Sequence, residues 1–349
     1  MNKNIILYSV PELNKVKGGP RTRISKFSEI ILKNKENYFV EGKAFKKLKK
    51  TLKVKKTDIL YIESSTNRLK LIDVICLLIL IRKVNFVVTY IRDVYIQLFP
   101  ENYKYLRGKI TKKANKLSNE FYARISDKLS FPTKEMGEVF FSTQKVKKEN
   151  FSLPPGSYIP KYSKRNLEMK CSEKGLKFLY LGSTKYKNSG FDDFIKIANS
   201  FRGLHTFYVL TADDISAKLR EFDLKNVVKV DFLKHDEVIE FVYSKNISFI
   251  IHPRPRNIYD DITYPIKIMD CISLAVPFIS LRHKPIVSLL PDNYPYFIED
   301  FTVDAIDKIV NKPKELFEKE YAKTKSDLLR IRDLCLYKNQ LEKLIENCK

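Results

Sequence analysis

Residues Phe249–Ser280 read FIIHPRPRNIYDDITYPIKIMDCISLAVPFIS. A short apolar run ends at His252, an irregular loop carries Asp260 and Asp261, and apolar residues at helical spacing follow Pro265. A second short run, Pro277–Ser280, closes the stretch. Apolar runs this short, separated by a helix, belong to parallel strands buried on both faces. Proline is favoured in the first helical turn, where its missing N–H has no partner, so the spacing predicts a helix over Pro265–Ile272. The N–H groups of Tyr264, Ile266 and Lys267 then face the carboxyl ends of the strands, where open α/β sheets bind ligands. A diphosphate suits that positive helix end, and Lys267 adds a full charge. Asp270 lies one turn on, along the face shared by Ile266 and Lys267, placed to accept hydrogen bonds from a ribose diol. His252 closes the strand at the mouth of the same region.

The same alternation runs outward in both directions. Upstream, strands are predicted at Asn4–Val10, Tyr38–Val40, Asp58–Glu63, Phe86–Arg92 and Lys128–Phe131, with helices between them. Leu153-Pro154-Pro155-Gly156 interrupts this pattern, and the polar stretch Tyr158–Lys174 reads as a linker. The pattern restarts with strands at Lys177–Leu181, Thr206–Leu210 and Val227–Phe232, and helices fill most of Val303 to Lys349. The fold class is α/β: two Rossmann-like, doubly wound parallel-sheet domains, residues 1–152 and 153–349, with the last helix expected to pack back on the first domain.

Charge is unevenly placed. Of a net +24, residues 1–150 carry +19 (33 basic, 14 acidic) and the remainder only +5. Lys43–Lys56 holds eight lysines and no acid, with Phe45, Leu48 and Leu52 as a predicted apolar side. Asn102–Asn119 holds six basic residues and no acid, with Tyr103, Leu106, Ile110 and Leu117 as its apolar side. Basic amphipathic helices suit an anionic membrane surface. Nucleic acid is disfavoured, because no helix-turn-helix, zinc-finger or RNP-like pattern accompanies the charge. The five cysteines are scattered without a C-x-x-C pair, which excludes a disulfide framework or zinc ribbon and suits a reducing compartment. Met1–Val10 reads as a strand rather than a secretory signal, and Leu71–Ile81 is too short to span a bilayer.

These segments resemble GT-B-fold glycosyltransferases, in particular the retaining family called glycosyl transferases group 1 (family four). Lys177–Phe194, KFLYLGSTKYKNSGFDDF, is similar to that family's strand–Gly-Arg–x–Lys-Gly–helix pattern. Asn226–Phe232 with Asp236–Val242 resembles its V-x-F-x-G…E-E-L step. Tyr264–Ile279 resembles its P-x-K-x-x-E-Y-x-A-x-G-x-P-V-I signature. Gly18-Gly19-Pro20 is similar to the acceptor-side Gly-Gly loop, and Val87-Val88-Thr89 with Asp93 to the strand ending in His-Asp. The sequence departs from the family at Asp270 (for Glu), Ile262 (for the earlier acid), Ser183, Ser189, Ala275 and Arg92.

The resemblance implies two domains facing a cleft and transfer of a sugar from a nucleotide diphosphate sugar, with retention, to a glycan or lipid-linked acceptor. It requires no cofactor beyond the donor substrate and no metal. Implied catalytic residues are Asp93, Arg92 and Asp261. Implied donor-binding residues are Gly182, Ser183, Lys185, Lys187, His252, Arg254, Tyr264, Pro265, Ile266, Lys267 and Asp270. The acceptor-side loop would be Gly18, Gly19 and Arg21. The location expected is cytoplasmic, peripheral on the inner membrane face. Two alternatives remain open: a binding module of the same fold that has lost transfer, and a basic nucleic-acid-binding protein.

Overall fold

The computed structural model describes residues 3–16, 18–66, 68–160, 175–186 and 188–349. They divide into two compact units. One comprises Met1–Gly156, Ile262–Tyr264 and Tyr337–Lys349; the other comprises Ser157–Asp261 and Pro265–Leu336.

The first unit runs β1 (Ile5–Ser9), α1 (Gly19–Ile31), β2 (Tyr38–Val40), α2 (Ala44–Lys53), β3 (Thr57–Glu63) and α3 (Leu71–Leu80). It continues with β4 (Val84–Tyr90), α4 (Tyr95–Leu98), α5 (Leu106–Ile125), β5 (Lys128–Phe131), α6 (Lys134–Phe141) and β6 (Glu149–Ser152). The second runs β7 (Lys177–Leu181), α7 (Phe191–Ser200), β8 (Thr206–Leu210), α8 (Ser216–Glu221), β9 (Val227–Val230), α9 (His235–Ser244) and β10 (Phe249–His252). It ends with α10 (Ile266–Leu274), β11 (Phe278–Leu281), α11 (Lys284–Val287), β12 (Phe297–Ile298), α12 (Val303–Val310) and α13 (Lys314–Leu334); α14 (Tyr337–Glu346) follows.

Each unit holds a six-stranded sheet, ordered β2-β1-β3-β4-β5-β6 and β12-β11-β10-β7-β8-β9, with the paired strands parallel. Both faces are covered, as continuous apolar strands require. In β1, Ile6 and Tyr8 join one core with Leu77 of α3 and Phe140 of α6. Ile5 and Leu7 join the other, with Phe27 of α1 and Leu341 of α14. The Tyr337 ring meets Phe27 edge-on, centroids 5.4 Å apart, and a Cβ on Gly156 would collide with that tyrosine.

The first unit extends past the expected boundary at residue 152, to Gly156, because Leu153 is part of its core. Arg23, itself buried, donates to the Leu153 and Pro154 carbonyls. It also pairs with buried Glu63 at 2.9 Å and lies over the Tyr90 ring. The expected linker is partly core as well: Tyr158 is buried in the second unit, whereas 161–174, Cys171 included, lie outside the described residues.

Two helices are rotated away from their predicted faces. In α2, Phe45 and Leu52 are exposed while Lys47 and Thr51 are buried, and of the predicted apolar side only Leu48 packs, partly buried, on the core. In α5, Leu106, Ile110 and Leu117 are exposed, and Asn115, Ser118, Tyr122 and Ala123 are buried. Polar pairing accompanies the burial of Lys47 and of Ser118. The Lys47 ammonium donates to the Asp73 carboxylate of α3 (2.6 Å) and the Val10 carbonyl (2.7 Å), and Tyr8 OH donates to the same carboxylate (2.8 Å). Ser118 accepts from the Leu69 N–H at 2.9 Å. Among the described residues, no helix is long and apolar enough to cross a membrane.

Lys47 is therefore a structural cation rather than one of the surface lysines. Lys47→Ala should destabilise the protein by about 3–5 kcal/mol, the cost of a buried carboxylate left without its partner. Combining it with Asp73→Ala should recover part of that loss. Urea unfolding of both single variants and the double variant measures the difference.

Candidate functional site

The site of the second unit is built at the carboxyl ends of β7 and β10. Strand β7 ends at Leu181, and Gly182 follows with φ +112°, a backbone conformation that favours glycine. The Lys267 ammonium, from the first turn of α10, donates to the Leu181 carbonyl. A Cβ on Gly182 would collide with that ammonium, so the glycine makes the approach possible. Pro265 stands one position earlier than expected, at the N-cap, and its carbonyl accepts the Ile268 N–H at 2.9 Å. The first N–H groups of α10, including those of Ile266 and Lys267, have no partner within the helix. Burial and the nearby Arg254 guanidinium push the Lys267 ammonium down to about 8. The helix end thus holds a desolvated cation that has no carboxylate within ion-pair distance among the described residues.

Asp270 sits deeper than its predicted role as an open ribose acceptor requires. Its carboxylate accepts from the Tyr158 hydroxyl at 3.2 Å, and burial pushes it up to about 7, against the pull of Tyr158 and Lys267. The Tyr158 ring meets His235 edge-on at 4.9 Å. Neither Tyr158 nor His235 carried a sequence signal: one lay in the apparent linker, 112 residues from its partner.

His252 is buried at the end of β10, and its Nε2 has no hydrogen-bond partner among the described residues. Burial, with Lys267, His283 and Arg254 nearby, holds its ring well below the usual histidine range, so it is neutral at pH 7. His283 packs 5.8 Å away and contacts the Arg254 carbonyl at 3.2 Å. The Arg254 guanidinium is anchored to the fully buried Asp260 at 3.1 Å. Asp261 meets Arg256 at 3.5 Å and accepts from the Lys284 N–H at 3.3 Å.

Ser183 and Lys185 turn to a residue that sequence reasoning missed. The Asp213 carboxylate accepts from the Ser183 hydroxyl (2.6 Å) and the Thr184 N–H (2.7 Å), and Lys185 lies 3.8 Å away. These bonds hold Asp213 below the usual carboxylate range. Lys187 lies outside the described residues. Tyr264 falls in the first unit with Ile262. Ile262 is part of that unit's core, and its carbonyl accepts from the Thr133 hydroxyl at 2.6 Å.

In the first unit, Asp93 and Arg92 follow β4. Their side chains stand 4.0 Å apart, and Arg92 reaches Thr66 at 3.4 Å. Burial raises the Asp93 carboxyl, against hydrogen bonds from Thr66 and the Tyr95 N–H. Gly18 is the N-cap of α1 and Gly19 its first residue; Arg21 is exposed on the first turn.

No protein-family model matches the chain, and no curated protein does at the significance applied. Solved structures do match it. The chain is similar to sucrose-phosphate synthase from Thermosynechococcus elongatus, with a TM-score of 0.68 at 12% identity over 99% of this chain and 98% of that one. It is also similar to WaaG, a glycosyltransferase involved in lipopolysaccharide biosynthesis (TM-score 0.62, 13% identity, 99% of both chains). Anabaena HepE, solved with UDP and glucose, matches with a TM-score of 0.65 at 10% identity, again over 99% of both chains.

The fold is GT-B.

Two predictions follow from the geometry around α10. Ala275, where the signature that this segment resembles carries glycine, ends the helix with φ +52°. An L-residue there costs about 1 kcal/mol, so Ala275→Gly should raise stability by roughly 0.5–1 kcal/mol in urea unfolding.

The second concerns Asp270. Unfolded, this carboxyl ionises near 3.8; folded, near 7. Between those values the folded state holds the extra proton, so stability falls as pH rises and the full cost is present above about pH 7. Asp270→Asn carries no such cost. Its advantage over wild type should be largest near pH 8, shrink as pH falls through about 7, and vanish near 4. A difference constant across that range would show a solvated carboxylate.

Proposed function

We propose that the protein is a glycosyltransferase that moves a sugar from a nucleotide diphosphate sugar to a glycan or lipid-linked acceptor hydroxyl, with retention. The observation that carries this reading is the Lys267 ammonium, buried at the start of α10 beside the Gly182 turn in a GT-B chain. A diphosphate would supply the negative charge that this cation lacks.

The chemistry asked of the protein is electrostatic. As the sugar–phosphate bond breaks, charge builds on the leaving diphosphate and on an oxocarbenium-like sugar. Lys267 and the first N–H groups of α10 are fixed in place before the reaction, so they stabilise the leaving group without reorganising. This route needs no metal. Neutral His252 leaves an unpartnered ring nitrogen near this end of the sheet, suited to a donor hydroxyl. Asp261 in the second unit, and separately Asp93 with Arg92 in the first, are the further polar groups proposed for catalysis. We place the enzyme on the cytoplasmic face of the membrane, with the basic first unit turned to the acceptor.

A second reading, a nucleotide-sugar binder without turnover, draws on Ile262. That residue occupies the place of the family's earlier acid and lies in a hydrophobic core. Turnover separates the two.

Thermal unfolding with UDP, GDP and ADP identifies the base, since a ligand at 100 times its Kd adds about 2.7 kcal/mol of stability. Lys267→Met should weaken binding of the preferred diphosphate by about 1.5–3 kcal/mol, the worth of a charge-assisted hydrogen bond. The unliganded variant should be no less stable at pH 7, because the buried ammonium is held below its ordinary value. Unchanged affinity would remove the site assignment. Release of nucleotide from the matching sugar donor, with the anomeric configuration of the product read by NMR, distinguishes transferase from binder.

A further inference from the structure

The rotation of α2 and α5 leaves the first unit with an apolar outer surface that its fold does not use. On α5, Leu106, Ile110 and Leu117 are 76%, 58% and 63% exposed, and on α3 Leu71 is 76% exposed. Their spacing aligns them: residues 106, 110, 114, 117 and 121 form one stripe of α5. That stripe and α3 enclose a groove. One part, about 670 Å³, is lined chiefly by Leu71, Val74, Leu117 and Phe121; the next, about 470 Å³, by Leu106 and Ile110 together with the polar Arg68, Arg107, Thr111 and Asn115. Arg68 borders both parts.

We propose that this α3–α5 face docks on an anionic bilayer, with the groove taking the acyl chain of a lipid and the basic rim its headgroups. The inference deepens the acceptor side of the proposed function, yet it stands on residues that take no part in nucleotide binding. Three observations select this occupant. The larger part of the groove is walled mainly by apolar side chains, Leu71, Val74, Leu117 and Phe121, which suits hydrocarbon. Its rim is cationic: Arg68, Lys70, Arg107, Lys109 and Lys113 are exposed, and no acid lies between residues 102 and 119. A second copy seated here would bring like charges together, whereas anionic lipid neutralises them. The length also fits. From Leu106 to Leu117 the helix rises about 16 Å, near half the roughly 30 Å hydrocarbon core of a bilayer.

Apolar insertion differs from purely electrostatic attachment in its response to salt. Raising salt from about 0.1 to 1 M shortens the Debye length from about 10 to 3 Å, which weakens headgroup attraction and leaves the acyl contact.

Co-sedimentation with vesicles of phosphatidylglycerol and phosphatidylcholine, against phosphatidylcholine alone, tests the proposal. Wild type should bind the anionic vesicles and retain part of that binding in 1 M salt. Ile110→Asp with Leu117→Asp should lower the partition constant at least tenfold in 0.1 M salt and abolish the salt-resistant fraction. Leu71→Ser with Ile75→Ser, on α3, reads the same surface independently. Phe45→Asp with Leu52→Asp, exposed on α2 outside the groove, should keep the salt-resistant fraction.

Equal binding by wild type and both groove variants would overturn the proposal. So would loss confined to the α2 variant, or a wild-type dimer that the groove substitutions dissociate while vesicle binding persists. Diphosphate affinity measured on the same variants keeps the two questions apart. Intact nucleotide binding without vesicle binding fails only the docking surface, and the reverse fails only the glycosyltransferase reading.

Discussion

An ammonium group pressed against the last carbonyl of β7 is the constraint around which the second unit's site is arranged. Lys267 reaches Leu181 only because residue 182 has no side chain and adopts a positive φ. Burial there weakens the lysine's hold on its proton, and burial of His252, helped by the lysine's field, keeps that ring neutral. Asp270, one turn along the same helix, partly offsets it. Yet burial raises its carboxyl more than the lysine lowers it, and Tyr158 takes one of its lone pairs. The charges are left incompletely matched, the condition in which an incoming anion gains most.

The first unit depends on charges that are fully matched. Arg23 with Glu63 and Tyr61, and Lys47 with Asp73 and Tyr8, are buried clusters in which each ion has a partner within hydrogen-bond reach. Such clusters contribute little net stability over apolar residues of similar volume, but they penalise any arrangement that separates the partners. The Arg23 cluster also accounts for where the unit ends, since the guanidinium holds the Leu153 and Pro154 carbonyls. The Lys47 cluster sets the rotation of α2 about its axis, and that rotation turns Phe45 and Leu52 outward. Interior ion pairing and exposed apolar surface are thus two results of one choice.

Much of the architecture was legible in the chain. Apolar runs of four to seven residues separated by helical segments specify parallel strands whatever the details of their packing, because a doubly covered sheet must be apolar on both sides. The strands at 4–10, 58–63, 177–181 and 247–252 and the helix after Pro265 were all read this way. Shorter elements were not: β6, with two exposed residues, and the two-residue β12 carry too few apolar side chains to signal themselves. Lys267 was found because a cation at a helix start is a local pattern. Asp213 and Tyr158 were missed because each acts through a partner distant in sequence.

The sequence by itself determined the layering, the parallel sheets, the one-sided charge and the place of Lys267 on its helix, since all of these follow from residue order and short periodicity. Tertiary structure alone decided which face of α2 and α5 turns inward, how deep Asp270 lies, and which carboxylate Ser183 and Lys185 meet. Helical periodicity ranks faces by hydrophobicity, but a buried carboxylate such as Asp73 must find its cation wherever the fold brings one. That requirement outweighed two large apolar side chains on α2, and it is visible only once residues 47 and 73 stand side by side.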